Sequence, residues 1–358
     1  MSDEFIRIAH ANLARGYRGG ERQTQLLIEG LAERGWPQRL VCRRDQPLAQ
    51  RCRSVPGLTI TEVAANAIAG AAALRACDLV HVHEGRAIQS AWLNSVLRGI
   101  PYVVTRRVQK GPRHTRANRA MYRRAELVVP VSAAIGASID ALAADIDWRV
   151  VPDSSSGLRA EPARVDELRA DFGGDFVVGH IGALDDSHKG QLQIIAVAKR
   201  VAAAMPGLRF VLVGSGRDES MLKHAANGLE NVMFTGQVDD VGNYLAAFDA
   251  FIYPSRHEGL GSILLDAFEF GLPIAATHVG GIPEIVDDGT NGLLVAPDDI
   301  PALEYAIGRL YREAGLREAI GRANENKAAD FSPARMTSRY MDIYAAIVAA
   351  HERRHIKT

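Results

Sequence analysis

Cysteine is scarce in this sequence: Cys42, Cys52 and Cys77 are the only three in 358 residues. An odd number with no paired spacing builds neither a disulfide framework nor a cysteine zinc site, and it fits a reducing cytoplasm. A surplus of one charge is also missing. Lys plus Arg and Asp plus Glu both number 42, so the whole chain offers no net field to nucleic acid or to a membrane, although a zero sum can hide local segregation. Long apolar runs are absent too. The most apolar helical stretch, Ala64–Cys77, is about 14 residues, short of the roughly 20 that span a bilayer. The start, MSDEFIRIAH, has no basic segment followed by an apolar core, so the expectation is a soluble protein without a leader, touching the inner face of a membrane only peripherally. The acidic pairs Asp185–Asp186 and Asp287–Asp288 sit in turn-like segments with no partner strand pattern, so no metal and no cofactor is expected.

The composition is that of an ordinary packed protein, 47% hydrophobic and 23% charged. Its length exceeds one core, and roughly 150 residues per domain implies two. Short apolar runs at Phe5–His10, Arg39–Cys42, Leu79–Val82, Tyr102–Thr105 and Leu127–Val131 alternate with amphipathic stretches, the rhythm of a parallel sheet covered by helices. The rhythm breaks at Val151–Gly157, VPDSSSG, which reads as a linker. A second series follows at Phe176–Ile181, Arg209–Val213, Val232–Phe234, Ala250–Tyr253, Ile274–Ala276 and Leu293–Val295. The expected domains are 1–152 and 153–330, with a helix in 331–358 packing back across them. Two doubly wound domains would face a central cleft with their strand carboxyl ends, where open α/β sheets bind ligands.

The densest chemistry lies in Ser255–Pro283, SRHEGLGSILLDAFEFGLPIAATHVGGIP. Gly259 and Gly261 admit close backbone approach, and the amides from Gly259 to Ser262, at the start of a helix, suit an anionic phosphate. Glu258 would be repelled by that phosphate and is better placed to accept hydrogen bonds from neighbouring sugar hydroxyls. Asp266, eight residues on and about two turns along, can face the same ligand. GSG at Gly214–Gly216 is no dinucleotide fingerprint, because Glu219 stands where the third glycine is needed.

This segment resembles the retaining glycosyltransferases of family 4, of GT-B architecture. The resemblance rests on Glu258, Asp266, Gly271 and Pro273, then Gly280, Gly281, Pro283 and Glu284, and the closing DGTNGLLVAPDD. It implies an α/β fold of two Rossmann-like domains, with a nucleotide-diphosphate sugar, UDP-sugar favoured, bound in the second. GALDDSHKGQ resembles the family's glycine-rich turn, with Lys189 facing the diphosphate and Ala183 where an Arg is usual. Gly16, Gly19, Gly20 and Glu21 resemble its first loop, and DLVHVHEGR a strand that brings His83 to the cleft mouth. Arg107 stands where many members carry a sugar-binding His. By resemblance the catalytic set is Glu258, Lys189, Arg107 and His83. The donor-binding set is Gly19, Gly20, Gly182, Gly214, Gly259, Leu260, Gly261, Ser262 and Asp266.

Between Gly85 and Ala125 there are ten arginines and lysines and no acid. Arg113, Arg116, Arg119, Arg123 and Arg124 fall within about 140° of one helix face at 100° per residue. With Arg106 this stripe suits an anionic glycolipid or polysaccharide acceptor, lipopolysaccharide core favoured, or the membrane surface itself, each basic residue adding up to roughly 1 kcal/mol there. The reading is a retaining, metal-independent sugar transferase that binds no nucleic acid. A non-catalytic sugar-nucleotide or glycan binder, and an epimerase of nucleotide sugars on the same fold, stay open as alternatives.

Overall fold

The computed structural model describes residues 6–356. It divides into two compact units, one formed by residues up to Ser156 together with those from Ser332 onward, the other by Gly157–Phe331. Residues 153–156 thus belong to the first unit, because Gln23 grips Ser154 from both sides: its Nε2 donates to the Ser154 carbonyl at 2.6 Å and its Oε1 accepts the Ser154 N–H at 2.9 Å.

The first unit carries six strands, β1 (Ile8–Asn12), β2 (Gln38–Arg43), β3 (Leu58–Val63), β4 (Leu79–Val82), β5 (Tyr102–Arg106) and β6 (Leu127–Pro130), in the parallel order β3-β2-β1-β4-β5-β6. Phe5, the first residue of the expected opening strand, lies outside the described residues. β3 has no counterpart in the sequence reading. It is an edge strand, its residues mostly half-buried, and LTITEV therefore lacks the continuous apolar run that marks the interior strands. The apolar stretch Ala64–Cys77 yields only a seven-residue helix, Ala67–Ala73, started by the Asn66 side chain accepting from the Ala69 N–H. The terminal helix, Pro333–Ile356, joins the first unit, where Met336, Tyr340, Ile343, Tyr344 and Ile347 pack with Leu26, Leu27 and Leu31 of the helix Gly19–Ala32. No helix among the described residues is long and apolar enough to cross a membrane.

The second unit repeats the plan with β7 (Phe176–Ile181), β8 (Leu208–Val213), β9 (Val232–Gly236), β10 (Ala250–Tyr253), β11 (Ile274–Thr277) and β12 (Leu293–Val295), ordered β12-β11-β10-β7-β8-β9. Every ladder is parallel, so helices must cover both faces and the inner strands read as near-continuous apolar runs. In each sheet the strand order reverses between two central strands, β1 and β4 in the first and β7 and β10 in the second. At such a switch point the following loops part to opposite faces and leave a crevice at the carboxyl edge. Both crevices are lined by residues that sequence reading singled out.

Candidate functional site

At the carboxyl ends of β7 and β10, Lys189 closes a short helix, Asp186–Lys189. Its ammonium donates to the Tyr253 hydroxyl and to Glu258 Oε2, each at 2.6 Å, while the Tyr253 hydroxyl donates to the same carboxylate oxygen at 2.7 Å. The lysine and glutamate side chains retain 21% and 15% exposure, enough for a ligand to reach them. Burial opposes the lysine charge, but Tyr253 and Glu258 outweigh it and hold the ammonium above its ordinary pKa. Burial and then the charge of Glu258 push the Tyr253 phenol up as well. The cluster is therefore one cation, one carboxylate and one neutral phenol, and an ammonium with two of three N–H groups engaged has a third to offer.

Bracing keeps this lysine in place. Asp186 Oδ1 accepts the Leu192 N–H at 2.7 Å, and its other oxygen pairs with Arg256 at 3.0 Å; Arg256 also holds Asp298 at 2.8 Å. Asp185 pairs with Arg217 at 2.8 Å and Asp287 with Lys327 at 2.6 Å. Asp185, Asp186 and Asp287 are thus paired with cations of the chain itself, and Asp288 Oδ1 accepts the Leu294 N–H at 2.8 Å. Behind the cluster, buried His180 donates from Nδ1 to the Ile252 carbonyl at 3.0 Å and accepts at Nε2 from the Gln191 amide at 3.4 Å, and burial pushes its pKa down to about 4. Tyr253, His180 and Arg256 were missed from sequence because each lies inside or just after an apolar strand, where position in the sheet and not local pattern decides what it touches.

Gly261 caps the helix Ser262–Glu269 at φ 89°, a left-handed conformation that breaks the helical path and sets the helix amides beside Glu258. Its Cβ position would lie 3.5 Å from Glu258 Cγ and 3.5 Å from the Tyr253 ring. This corrects the spacing argument for Asp266. Because Gly261 stops the helix, Asp266 lies one turn inside it rather than two turns from Glu258, and it is 6% exposed. The Leu260 side chain is buried too, at 3%, leaving its backbone as the part that can face a ligand. Gly214 has a packing duty: a Cβ there would stand 2.1 Å from the Gly182 carbonyl oxygen, so the loops after β7 and β8 close against each other only without it.

In the first unit, Gly19 and Gly20 open the helix Gly19–Ala32 rather than lying in a loop, because Glu21 Oε2 accepts the Arg18 N–H at 3.0 Å and starts the helix there. Neither has a positive φ, a Cβ on Gly19 would meet nothing within 4 Å, and one on Gly20 would meet only Arg107 Cδ at 3.8 Å. The fold asks for glycine at neither place, and glycine in a helix costs roughly 0.5–1 kcal/mol against alanine.

His83 follows β4 and is buried at 3% rather than at a mouth, held by His10 of β1, whose Nδ1 lies 2.9 Å from His83 Nε2. His81 lies beside them, bonded through one ring nitrogen to the Tyr344 hydroxyl and through the other to Thr105, each at 2.6 Å. The three rings could in principle hold a metal ion. Two imidazole nitrogens on a tetrahedral zinc stand about 3.3 Å apart, from ~2.05 Å bonds; the 2.9 Å separation and the occupied His81 nitrogens are those of a hydrogen-bonded cluster. Arg107 pairs with Asp153 at 2.8 Å, the two side chains 10% and 5% exposed, and donates to the His83 carbonyl at 3.3 Å. The first unit thus brings Arg107 against His83 and Gly20, and the second unit brings Lys189 against Glu258 and Gly182, with Gly261 beside Glu258.

The basic stripe is shorter than its sequence pattern. Thr115 caps the helix Arg116–Arg124, its hydroxyl accepting the Asn118 N–H, so Arg113 precedes the helix. Arg106 donates to the Tyr122 hydroxyl at 3.1 Å, Arg119 to the Leu142 carbonyl at 3.1 Å, and Arg123 pairs with Asp145 at 2.9 Å, an acid supplied from beyond the acid-free segment. Arg113, Arg116, Arg119 and Arg123 remain exposed.

Two parallel six-stranded sheets, each flanked by helices and each with polar groups at its switch point, define a GT-B protein. The family profile described as glycosyl transferases group 1 matches residues 175–313, and that of the glycosyl transferase 4-like domain matches residues 18–153; the chain belongs to this family of glycosyltransferases. It is 30% identical over 71% of its length to the 2-deoxystreptamine glucosyltransferase of Streptomyces kanamyceticus, covering 73% of that relative. It is 32% identical over 40% of its length to the lipopolysaccharide core biosynthesis glycosyltransferase of Rhizobium meliloti, covering 44% of it. The chain spans about two fifths of the length of several curated relatives it matches. Among solved structures it resembles HepE of Anabaena in complex with UDP-glucose, at a TM-score of 0.83 and 20% identity, over 95% of this chain and 100% of that one.

Proposed function

We propose that this protein is a retaining, metal-independent transferase that moves a sugar from a UDP-sugar to a cell-surface glycan or glycolipid, lipopolysaccharide core favoured. The observation that carries the reading is the Lys189–Tyr253–Glu258 cluster beside the amide start of the helix Ser262–Glu269. A diphosphate would take the third N–H of Lys189 and the helix amides, Glu258 would accept from sugar hydroxyls, and Asp266 would hold the ribose. The departing phosphate oxygen, on the same face as the acceptor, would receive its proton, since no residue among the described residues is an evident covalent nucleophile. The UDP-glucose complex of HepE and the rhizobial core transferase support the donor and the acceptor class.

UDP-sugars should raise the melting temperature and be turned over in excess EDTA, because Asp185, Asp186 and Asp287 are held by Arg217, Arg256 and Lys327. Magnesium-reversible loss of turnover would overturn metal independence. Protection by UDP-sugars without turnover on any acceptor would leave a sugar-nucleotide-binding protein.

For the acceptor, the exposed arginines point to anionic headgroups or core phosphates. Wild-type protein should bind anionic vesicles at low ionic strength and release them as the Debye length falls from about 10 Å at 0.1 M salt to about 3 Å at 1 M. Replacing Arg113, Arg116, Arg119 and Arg123 together by Gln should abolish vesicle binding and leave UDP-sugar affinity unchanged. Indifference of the wild type to anionic vesicles, with full turnover of a neutral soluble acceptor by the quadruple variant, would show a merely solvated face.

A further inference from the structure

The helix that carries Lys189, Asp186–Lys189, is a single turn of four residues, none of them buried. One turn fixes many dihedrals for few hydrogen bonds and does not stand alone, and here no apolar face holds it down. Polar bonds hold it instead. Asp218 Oδ2 accepts the Asp186 N–H at 2.8 Å, which secures only the first residue. Arg256 Nη1 donates to the Asp186 carbonyl at 2.6 Å and to Asp186 Oδ2 at 3.0 Å, and the Arg256 N–H donates to the His188 carbonyl at 2.8 Å. Arg256 stands two residues before Glu258, so one residue joins the turn that bears Lys189 to the segment that bears its ion-pair partner. The guanidinium is itself fixed at a second point, where Nε donates to Asp298 Oδ1 at 2.8 Å.

Asp298 is an unusual residue for its place. Its φ is 62°, in the left-handed region that glycine enters freely and other residues enter only against steric resistance. Its side chain is 59% exposed, so packing does not account for it. What it adds that glycine lacks is the carboxylate on Arg256. An exposed ion pair contributes little stability, so the use of this one lies in direction. We infer that Asp298 and Arg256 are positioning residues for the transfer: Asp298 sets the Arg256 fork, and Arg256 sets the turn that aims Lys189 at the leaving group. The arrangement requires a guanidinium, whose Nε and Nη1 reach Asp298 and Asp186 at once in one fixed plane; an ammonium on a flexible stem does not. The role in transfer rests on the transferase reading, and the hold on the turn does not.

Two measurements on the full chain test this. Hydrogen exchange read by mass spectrometry reports on the turn's own amides, since His188 and Lys189 donate to the Asp185 carbonyl at 3.1 and 2.8 Å and Gly190 to the Asp186 carbonyl at 2.9 Å. In Asp298→Gly and in Arg256→Lys these amides should exchange about tenfold faster, as a locally loosened element does, while those of β7 and β10 keep wild-type rates. Release of UDP from UDP-glucose and other UDP-sugars, with water or lipopolysaccharide core as acceptor, reports on the reaction. Both variants should lower kcat about tenfold or more, because misplacement by about 1 Å can cost about 100-fold, while KM for the UDP-sugar changes less than about threefold. Asp298→Gly should nevertheless melt no lower than wild type, since relief of the left-handed backbone offsets the lost ion pair. Asp298→Asn tolerates the same backbone and keeps an acceptor for Arg256, and it should recover most of kcat. A contact that merely stabilises gives the reverse, a lower melting temperature at unchanged kcat, and that result would overturn the inference. Wild-type exchange of the turn in both variants would overturn it as well. If the wild type turns over no nucleotide sugar, the transferase reading fails and the role in transfer with it, while the exchange rates still decide whether Arg256 and Asp298 hold the turn.

Discussion

Replacing Lys189 by alanine is expected to lower turnover at least tenfold, the size being set by the charge it would place against the leaving group. An ammonium facing a diphosphate in a water-poor crevice supplies roughly 2–4 kcal/mol to charge that develops in the transition state, or about 30- to 800-fold in rate. Glu258→Ala should lower turnover by a similar factor, through lost contacts to the sugar. The two residues are paired in the structure at 2.6 Å, so each single change also strips the other of its partner in a half-buried place. Removing one partner of a buried pair destabilises by up to about 3–5 kcal/mol, and the residual exposure here argues for less. Activity must therefore be compared at temperatures where circular dichroism shows the variants folded. Wild-type turnover in folded Lys189→Ala or Glu258→Ala protein would remove this site.

The second large effect is a loss of stability in mild acid. Burial, the largest cause, pushes the pKa of His10 down to about 4, its bond to Gln38 opposing it; His81 and His83 are held well below the ordinary value by burial, by one another and His10, and by Arg107. Around these rings stand Thr105, Tyr340, Tyr344 and Asp153 as the other polar groups. An unfolded histidine binds its proton near pH 6.5, and folded His10 refuses it until the pH nears 4. Between those values the unfolded chain holds more protons, so stability falls as pH falls. A depression from 6.5 to about 4 is on the order of 3 kcal/mol for His10 alone, a large share of the roughly 5–15 kcal/mol that holds a domain folded. Urea midpoints should drop steeply from pH 6.5 to 4.5, and His10→Gln should flatten that slope. A midpoint independent of pH across this window would show that the rings are not held neutral.

Much of the fold was legible in the sequence because buried parallel strands are near-continuous apolar runs. Leu79–Val82, Phe176–Ile181, Ala250–Tyr253 and Leu293–Val295 are strands with the boundaries that their patterns imply. β3 escaped because it is mostly half-buried and Thr59, Thr61 and Glu62 interrupt its apolar run. The glycines and the lysine before a helix start were legible for a related reason: special backbone and bare amides leave marks in residue type. The linker segment was legible as a run of turn residues, but its side chains were not. Asp153 and Ser154 are buried partners of Arg107 and Gln23, residues 46 and 131 positions away.

What the sequence determined by itself is therefore whatever depends on local chemistry: the alternation of strand and helix, the positions of close backbone approach, and the residue types able to meet a diphosphate and a sugar. Tertiary structure alone decided which of those types meet. Tyr253 joins Lys189 and Glu258 only because β7 and β10 are neighbours, and His10 reaches His83 only because β1 and β4 are. It also decided that Asp266 is one turn into its helix and that several stripe arginines are bonded within the chain. Strand order is set by burial of whole faces against whole helices, a property of the assembled sheet, and no local spacing encodes it.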